Sequence, residues 1–445
     1  MRDVGAPLSV DRLRELVDAG RVDTVLVALT DMQGRLQGKR CGARYFLEEV
    51  LVHGTEACDY LLAVDVEMTP VSGYETSSWD RGYGDFLLQP DLATLRMVPW
   101  HDGTAMVQAD VLTLDGEPVA PSPRQVLRRQ LDRLAERGLT AHVGTELEFI
   151  LYEDTYEDAQ RMGYQHLSPA NLYNVDYSLL GTGRVEPVLR DIRNHMTGAG
   201  MYVESAKGEC NPGQHEIAFR YTDALTTCDN HAVYKTGAKE IAARHGRSLT
   251  FMAKVNEREG NSCHIHMSLR QDGEVLPDDL FRGFLAGQLA CLREFTAFYA
   301  PNINSYKRFA AGSFAPTAIA WGTDNRTCSL RVVGHGESRR VENRVPGGDV
   351  NPYLAVAAMV AAGLHGIENG LEPEEEFRGN AYESDKPRVP ATLRDAAEAL
   401  RTSATARAAF GDDVVDHYCN AARVELAAFD AAVTDWELAR GFERL

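Results

Sequence analysis

Two glutamates stand two residues apart in "GTELEF", residues 144–149, so in a strand Glu146 and Glu148 leave the same face. Like charges so placed repel unless water or a cation separates them, and a surface strand and a metal site both satisfy that condition. "KGECNPGQHE" sets Glu209 and Glu216 on either side of a Pro-Gly turn, which suits either a polar hairpin tip or two carboxylates returning to one point. "NSCHIHMSL" puts His264, His266 and Ser268 on one strand face, with Cys263, Ile265, Met267 and Leu269 on the other. In "RRVENR", residues 339–344, strand periodicity aligns Arg340, Glu342 and Arg344, a pattern shared by solvated edge strands and charged sites. Carboxylate oxygens with one imidazole are the donors that Mg²⁺ or Mn²⁺ takes, and four glutamates plus a histidine would suit two or three such ions.

The cations collect late in the chain: Arg308 in "SYKRF", Arg326 and Arg331 in "NRTCSLR", then Arg340 and Arg344. Arginines set against metal-binding carboxylates are what phosphoryl transfer from ATP requires, since that chemistry is mostly positioning and charge neutralisation. No GxxxxGK[ST] loop and no kinase signature is present, so ATP would be held by metals and arginines.

Positioning these groups needs strands. "VDTVLVALTDMQGRLQGKR" alternates like a hairpin with Gly34 in its turn. A loop-rich stretch follows at 71–91, and three prolines in "EPVAPSPRQ" mark a boundary, dividing the chain into residues 1–117 and 118–445. Beyond it, "AHVGTELEFIL", "SLTFMAKV", "SCHIHMSL" and "CSLRVV" read as strands among helices near 228–244, 279–299 and 353–370, an α+β domain with helices outside a curved sheet. Ser9 caps a first helix, and Asn351 with Pro352 starts a buried one.

The 445 residues carry 44% hydrophobic and 25% charged residues, ordinary for a folded protein. A net charge of −19 opposes a nucleic-acid or anionic-membrane surface. The longest apolar run, "YLAVAAMVAAGL", is too short to span a bilayer. Eight scattered cysteines without a CxxC pair read as buried, reduced thiols of a cytoplasmic protein.

Taken in order, "TELEF", "GECNPGQHE", "CHIHMSL", "NSYKRF", the Ala-Pro of "GSFAPT", "NRTCSLR", "RRVENRVPGGDVNPYL" and the tail "DWELARGFERL" resemble the glutamine synthetase family over most of the chain. The resemblance implies an N-terminal β-grasp domain, a catalytic domain with an incomplete antiparallel barrel, and a homo-oligomer of two stacked hexameric rings. It further implies one metal on Glu148, Glu209 and Glu216 and a second on Glu146, His264 and Glu342. Arg340 and Arg331 would serve ATP and Arg326 the phosphoryl group in transit. Arg308 and Arg344, with Gly260 and the region of Glu148 and His264, would grip glutamate. Glu204, Tyr221, His266 and Ser268 fall where the family contacts nucleotide. The implied reaction converts the glutamate γ-carboxylate to γ-glutamyl phosphate, which an amine then attacks.

Two departures bear on the amine. Where ammonia-using members carry a flap glutamate, this chain has Phe314, and the aspartate that helps bind ammonium falls at about Val71. Losing two anionic groups weakens capture of a small cation, so the expected nucleophile is a carbon-bearing amine. "DMQGRLQGKR" and "SSWDRGYGDF" lean toward members that glutamylate ethanolamine, with Phe314, Trp79 and Asp80 as candidate amine-pocket residues. Polyamines remain an alternative, since Glu75, Asp80 and Asp85 offer anions along a channel; ammonia follows as a third reading. Tyr382 in "NAYES" lies near a tyrosine modified in some relatives, without their following motif. Non-catalytic relatives of this fold should have lost metal ligands, and all six positions are present here.

Overall fold

A computed structural model describes residues 8–445. Ser9 accepts from the Arg12 amide and starts the helix Val10–Asp18, as its type and place suggest. Next come six strands: β1 (Thr24–Thr30), β2 (Leu36–Gly42), β3 (Thr55–Cys58), β4 (Asp85–Pro90), β5 (Arg96–Met97) and β6 (Thr104–Leu112). They form a sheet in the order β2-β1-β6-β4-β3, with β5 against β6. The β1–β2 hairpin pairs antiparallel, with Gly34 at φ +79° in its connection, while β1 and β6 run parallel. An antiparallel hairpin laid parallel to a returning strand is the grasp arrangement expected.

Ten further strands follow: β7 (Leu139–Tyr152), β8 (Val203–Gly208), β9 (Gln214–Phe219), β10 (Thr222–Asp223), β11 (Ser248–Thr250), β12 (Cys263–Gln271), β13 (Glu274–Val275), β14 (Trp321–Thr323), β15 (Leu330–Val333) and β16 (Arg340–Asn343). Their sheet runs β14-β15-β16-β12-β7-β9-β8, a nearly closed barrel-like surface. The antiparallel expectation holds for its central pairs, but β14 and β15 are parallel. "SLTFMAKV" is strand only over Ser248–Thr250. Past Thr250, side chains replace the ladder: Asn261 donates to the Thr250 and Met252 carbonyls, and Asn304 accepts from the Lys254 amide.

The helix Pro352–Glu368 begins at Asn351, whose side chain accepts from the Tyr353 amide, and is buried along nearly its whole length. It crosses Asp278–Tyr299 where glycines face each other: a Cβ on Gly366 would lie 1.9 Å from the Gly283 carbonyl oxygen. One hydrophobic core is drawn from residues 13–119, and a larger one from residues 98–415. Buried Arg124 ties the two parts, reaching Asp229 at 2.9 Å, Asp110 at 2.6 Å and Asp91 at 2.7 Å. Cys41, Cys228, Cys263, Cys291 and Cys328 are buried; Cys58 at the end of β3, Cys210 in the turn between β8 and β9, and Cys419 within the helix Asp412–Ala431 are half-buried, and none is in a disulfide. Among the described residues, no helix is long and apolar enough to cross a membrane.

Candidate active site

The register of four strands gathers the acidic residues. On β7 the alternation carries Glu146 and Glu148 to one face, and antiparallel pairing sets Glu216 of β9 opposite Glu148 and His264 of β12 opposite Glu146. On the other edge of β12, His266 faces Glu342 of β16, which faces Arg331 of β15. The charged run Arg340–Asn343 is therefore an interior strand, and Glu342 is 1% exposed. A one-residue slip in any of these strands would turn its carboxylates to the opposite side.

Among the described residues three groups of potential metal ligands occur; one, Asp176, Glu209 and Cys210, shares Glu209 with the first of the two that follow. Glu148, Glu209 and Glu216 bring donor oxygens within 4.8 Å of one another, and so do Glu146, His266 and Glu342. His264 stands beside the second set, its Nδ1 3.4 Å from Glu146 and 3.5 Å from Glu342. Its Nε2 is buried without a partner. Burial lowers the His264 pKa, with the Arg344 charge acting in the same direction, so the ring is neutral, the form in which imidazole ligates metals. His266 is more committed: Arg340 Nε donates to its Nδ1 at 3.1 Å, and its Nε2 lies 3.0 Å from Glu146.

The electrostatics fit a divalent cation. Burial first, then the charges of Glu146, Glu148 and Glu342, push the Glu216 carboxyl up to about 8 against the pull of Lys207. Burial also works against ionising Glu146, yet hydrogen bonds from His264 and His266 hold it below the ordinary carboxylate range. One Glu148 oxygen accepts from the Ser262 amide at 2.7 Å and from Gln214 at 3.1 Å, which orients the group. Oxygen-rich sets with an imidazole suit Mg²⁺ or Mn²⁺, whereas a structural zinc would want cysteine.

Beside the second cluster opens a cleft of about 450 Å³, lined among others by Glu146, Glu204, Tyr221, His266, Ser268 and Arg340. The four residues singled out for nucleotide contact thus share one cavity with Arg340. Arg331 does not line it, because its guanidinium is engaged by Glu342 at 3.0 Å and by Asp324. Arg326 is exposed at the turn between β14 and β15. His142, Arg270 and Glu337 also line the cleft and were not singled out. His142 and Arg270 continue the two-residue alternation of Glu146 and Ser268, a signal that extending the β7 pattern by two steps and the β12 pattern by one would have found.

At the other end lie the buried arginines. Arg308 is 1% exposed; its Nη2 donates to the carbonyls of Arg344, Val345 and Pro346, while Nε and Nη1 have no partner. Burial lowers its pKa to about 10 despite the nearby Glu148 charge, which leaves it protonated at neutral pH. Arg344 Nη1 donates to Glu342 at 2.6 Å, and its Nε is also unpartnered. Buried guanidinium donors aimed at nothing in the protein are the form of a carboxylate site. Gly260 abuts Arg308, and its carbonyl accepts from Gln214 at 2.9 Å. Phe314 is half exposed, with its carbonyl accepting from Arg344 Nη2 at 3.3 Å. Trp79 and Asp80 instead lie on the N-terminal sheet's β3–β4 connection, where Trp79 is 79% exposed and meets Tyr83 edge-on.

A barrel-like sheet thus brings together two carboxylate clusters, a cleft and unpartnered buried arginines, an arrangement able to hold divalent ions beside a bound carboxylate. The chain belongs to the glutamine synthetase family: residues 120–441 match the family described as glutamine synthetase, catalytic domain. It is 68% identical to the gamma-glutamylethanolamide synthetase GlnA4 of Streptomyces coelicolor, over 99% of this chain and 96% of that protein. It is 38% identical to a glutamate–isopropylamine ligase of a Pseudomonas species, over 96% and 97%. A solved structure described as a GmaS/ADP complex superposes with a TM-score of 0.84 at 28% identity, covering 97% of this chain and 99% of that one.

Proposed function

We propose that the protein is an ATP-dependent ligase that joins the γ-carboxylate of L-glutamate to a primary amine, ethanolamine above others. The ligase reading rests most on one observation, the convergence of the Glu148 and Glu146 clusters beside the unpartnered donors of Arg308 and Arg344. The choice of ethanolamine rests on the 68% identity to a gamma-glutamylethanolamide synthetase and on Phe314 in place of a carboxylate.

Glu148, Glu209 and Glu216 hold one Mg²⁺ or Mn²⁺, and Glu146, Glu342 and His264 a second. Arg340 Nε donates to His266 Nδ1, which makes that nitrogen the acceptor and orients the ring beside Glu146. When bound, the divalent ions neutralise and align the triphosphate oxygens. Glu204, Tyr221, Ser268 and Arg340 line the cleft taken for the nucleotide, and Arg326 meets charge on the phosphoryl group in transit. Arg308 and Arg344 take the glutamate carboxylate, with Gly260 giving backbone contact, so that the γ-carboxylate meets the terminal phosphate in line. The amine nitrogen then attacks the acyl carbon of this acyl phosphate, the bond from that carbon to the phosphate oxygen breaks to release inorganic phosphate, and the nitrogen sheds a proton to leave the amide. Phe314 presents carbon to the amine's alkyl portion. Trp79 and Asp80 complete that pocket from a neighbouring subunit in a dodecamer of two hexameric rings.

Phosphate release with glutamate, ATP and Mg²⁺ over a panel of ammonium, ethanolamine, alkylamines and polyamines tests this reading. Ethanolamine should give the highest kcat/KM. Release with no amine above the amine-free background sinks it.

A further inference from the structure

The loop that carries Phe314 is held from beneath at successive points. Gly312 and Phe314 both adopt left-handed backbone, at φ +77° and +57°, a conformation that costs a phenylalanine energy and persists only where neighbours enforce it. The neighbours are identifiable. Ser313 Oγ donates to the Ala310 carbonyl at 2.6 Å, and Arg344 Nη2 to the Phe314 carbonyl at 3.3 Å. Tyr382 Oη donates to the next carbonyl, that of Ala315, at 3.0 Å. Ala315 is buried and precedes Pro316, so its backbone is restricted to extended conformations and its carbonyl direction is set.

Tyr382 is itself strapped to the same loop. Arg388 donates to Thr317 Oγ1 at 3.2 Å and to the carbonyls of Ala381, Tyr382 and Ser384. The Ile319 amide bonds the Pro387 carbonyl at 2.7 Å, and the Val389 amide bonds the Thr317 carbonyl at 3.2 Å. Ala318 pairs with Arg388 as an isolated bridge. Residues 380–389 therefore form a template on which 313–319 lies, and Tyr382 is the contact nearest Phe314.

We infer that Tyr382 is a positioning residue for amine selectivity: its hydroxyl fixes the Ala315 carbonyl, holds Phe314 in its left-handed turn, and so sets the size of the amine pocket. This rests on the amine-ligase reading for its catalytic arm only. The hydroxyl touches no reacting atom; it acts through the Ala315–Pro316 peptide, one residue beyond Phe314.

The test compares wild type, Tyr382→Phe and Arg388→Gln as full-length protein, by steady-state kinetics and by amide hydrogen exchange over residues 311–317. Loss of one hydrogen bond is expected to raise the ethanolamine KM about fivefold and to narrow the kcat/KM ratio of ethanolamine over a bulkier alkylamine. The glutamate KM and ADP affinity should stay at wild-type values, which a general loss of structure would not allow. Exchange over 311–317 should quicken in both variants. An unchanged amine ratio with unchanged exchange in Tyr382→Phe overturns the inference. Should wild type glutamylate no amine, the ligase reading fails by itself, and exchange alone decides whether Tyr382 holds the loop.

Discussion

Gly260 lies hard against Arg308: a Cβ added there would sit 2.9 Å from Arg308 Cγ and 2.2 Å from the Ala253 carbonyl oxygen. The contact with backbone cannot relax by rotating a side chain, so Gly260→Ala has to shift either the strand entry or the arginine. The variant is expected to raise the glutamate KM by about tenfold or more while the ADP affinity holds, as measured by initial rates and by titration calorimetry. A wild-type glutamate KM would separate Arg308 from substrate recognition.

Removing one carboxylate from the first metal cluster should weaken it selectively. Glu216→Gln is nearly isosteric but neutral, so Mn²⁺ binding is expected to fall on the order of tenfold or more, with the Glu146 cluster keeping its ion. Calorimetric titration of metal-free protein should lose one class of sites. Two undiminished classes would place the cation elsewhere.

Phe314 offers carbon where relatives that use ammonia offer a carboxylate. Phe314→Glu should raise kcat/KM for ammonium and lower it for ethanolamine, each by about fivefold, the value of a half-exposed charge pair near 1 kcal/mol. Initial rates on both amines measure it. No movement in the ratio would show that this side chain does not face the nucleophile.

His417 joins the two parts of the chain, its ring tilted 43° against Tyr74 at 4.3 Å between centroids and its Nε2 3.2 Å from the Met32 sulfur. Burial lowers its pKa to about 4 from 6.5. Between those values the unfolded chain takes up a proton that the folded chain refuses, so this stability is full above pH 6.5 and is lost as pH falls toward 4. The span corresponds to roughly 3 kcal/mol. Urea midpoints at pH 7.5 and 5.0 should differ less in His417→Phe than in wild type; equal differences would remove His417 from the acid response.

Much of the site was legible because strand periodicity is simple. Glu146 with Glu148, and His264 with His266, needed only alternation to be placed on a face, and the Asn351-Pro352 start of the buried helix needed only capping chemistry. What escaped depended on contacts that spacing cannot carry. Arg331 reads like Arg340, yet register sets it against Glu342 and Asp324. The end of "SLTFMAKV" is not a strand because Asn261 and Asn304 bond its backbone from distant positions. The tie from Tyr382 to Ala315 spans 67 residues and has no local signal.

The most direct measurement offers both nucleophiles at once. Glutamate, ATP and Mg²⁺ are supplied with equimolar ammonium and ethanolamine, and the products are quantified by mass spectrometry. γ-Glutamylethanolamide is expected to dominate, with phosphate released in equal amount; glutamine as the major product would contradict the assignment of a carbon-bearing amine.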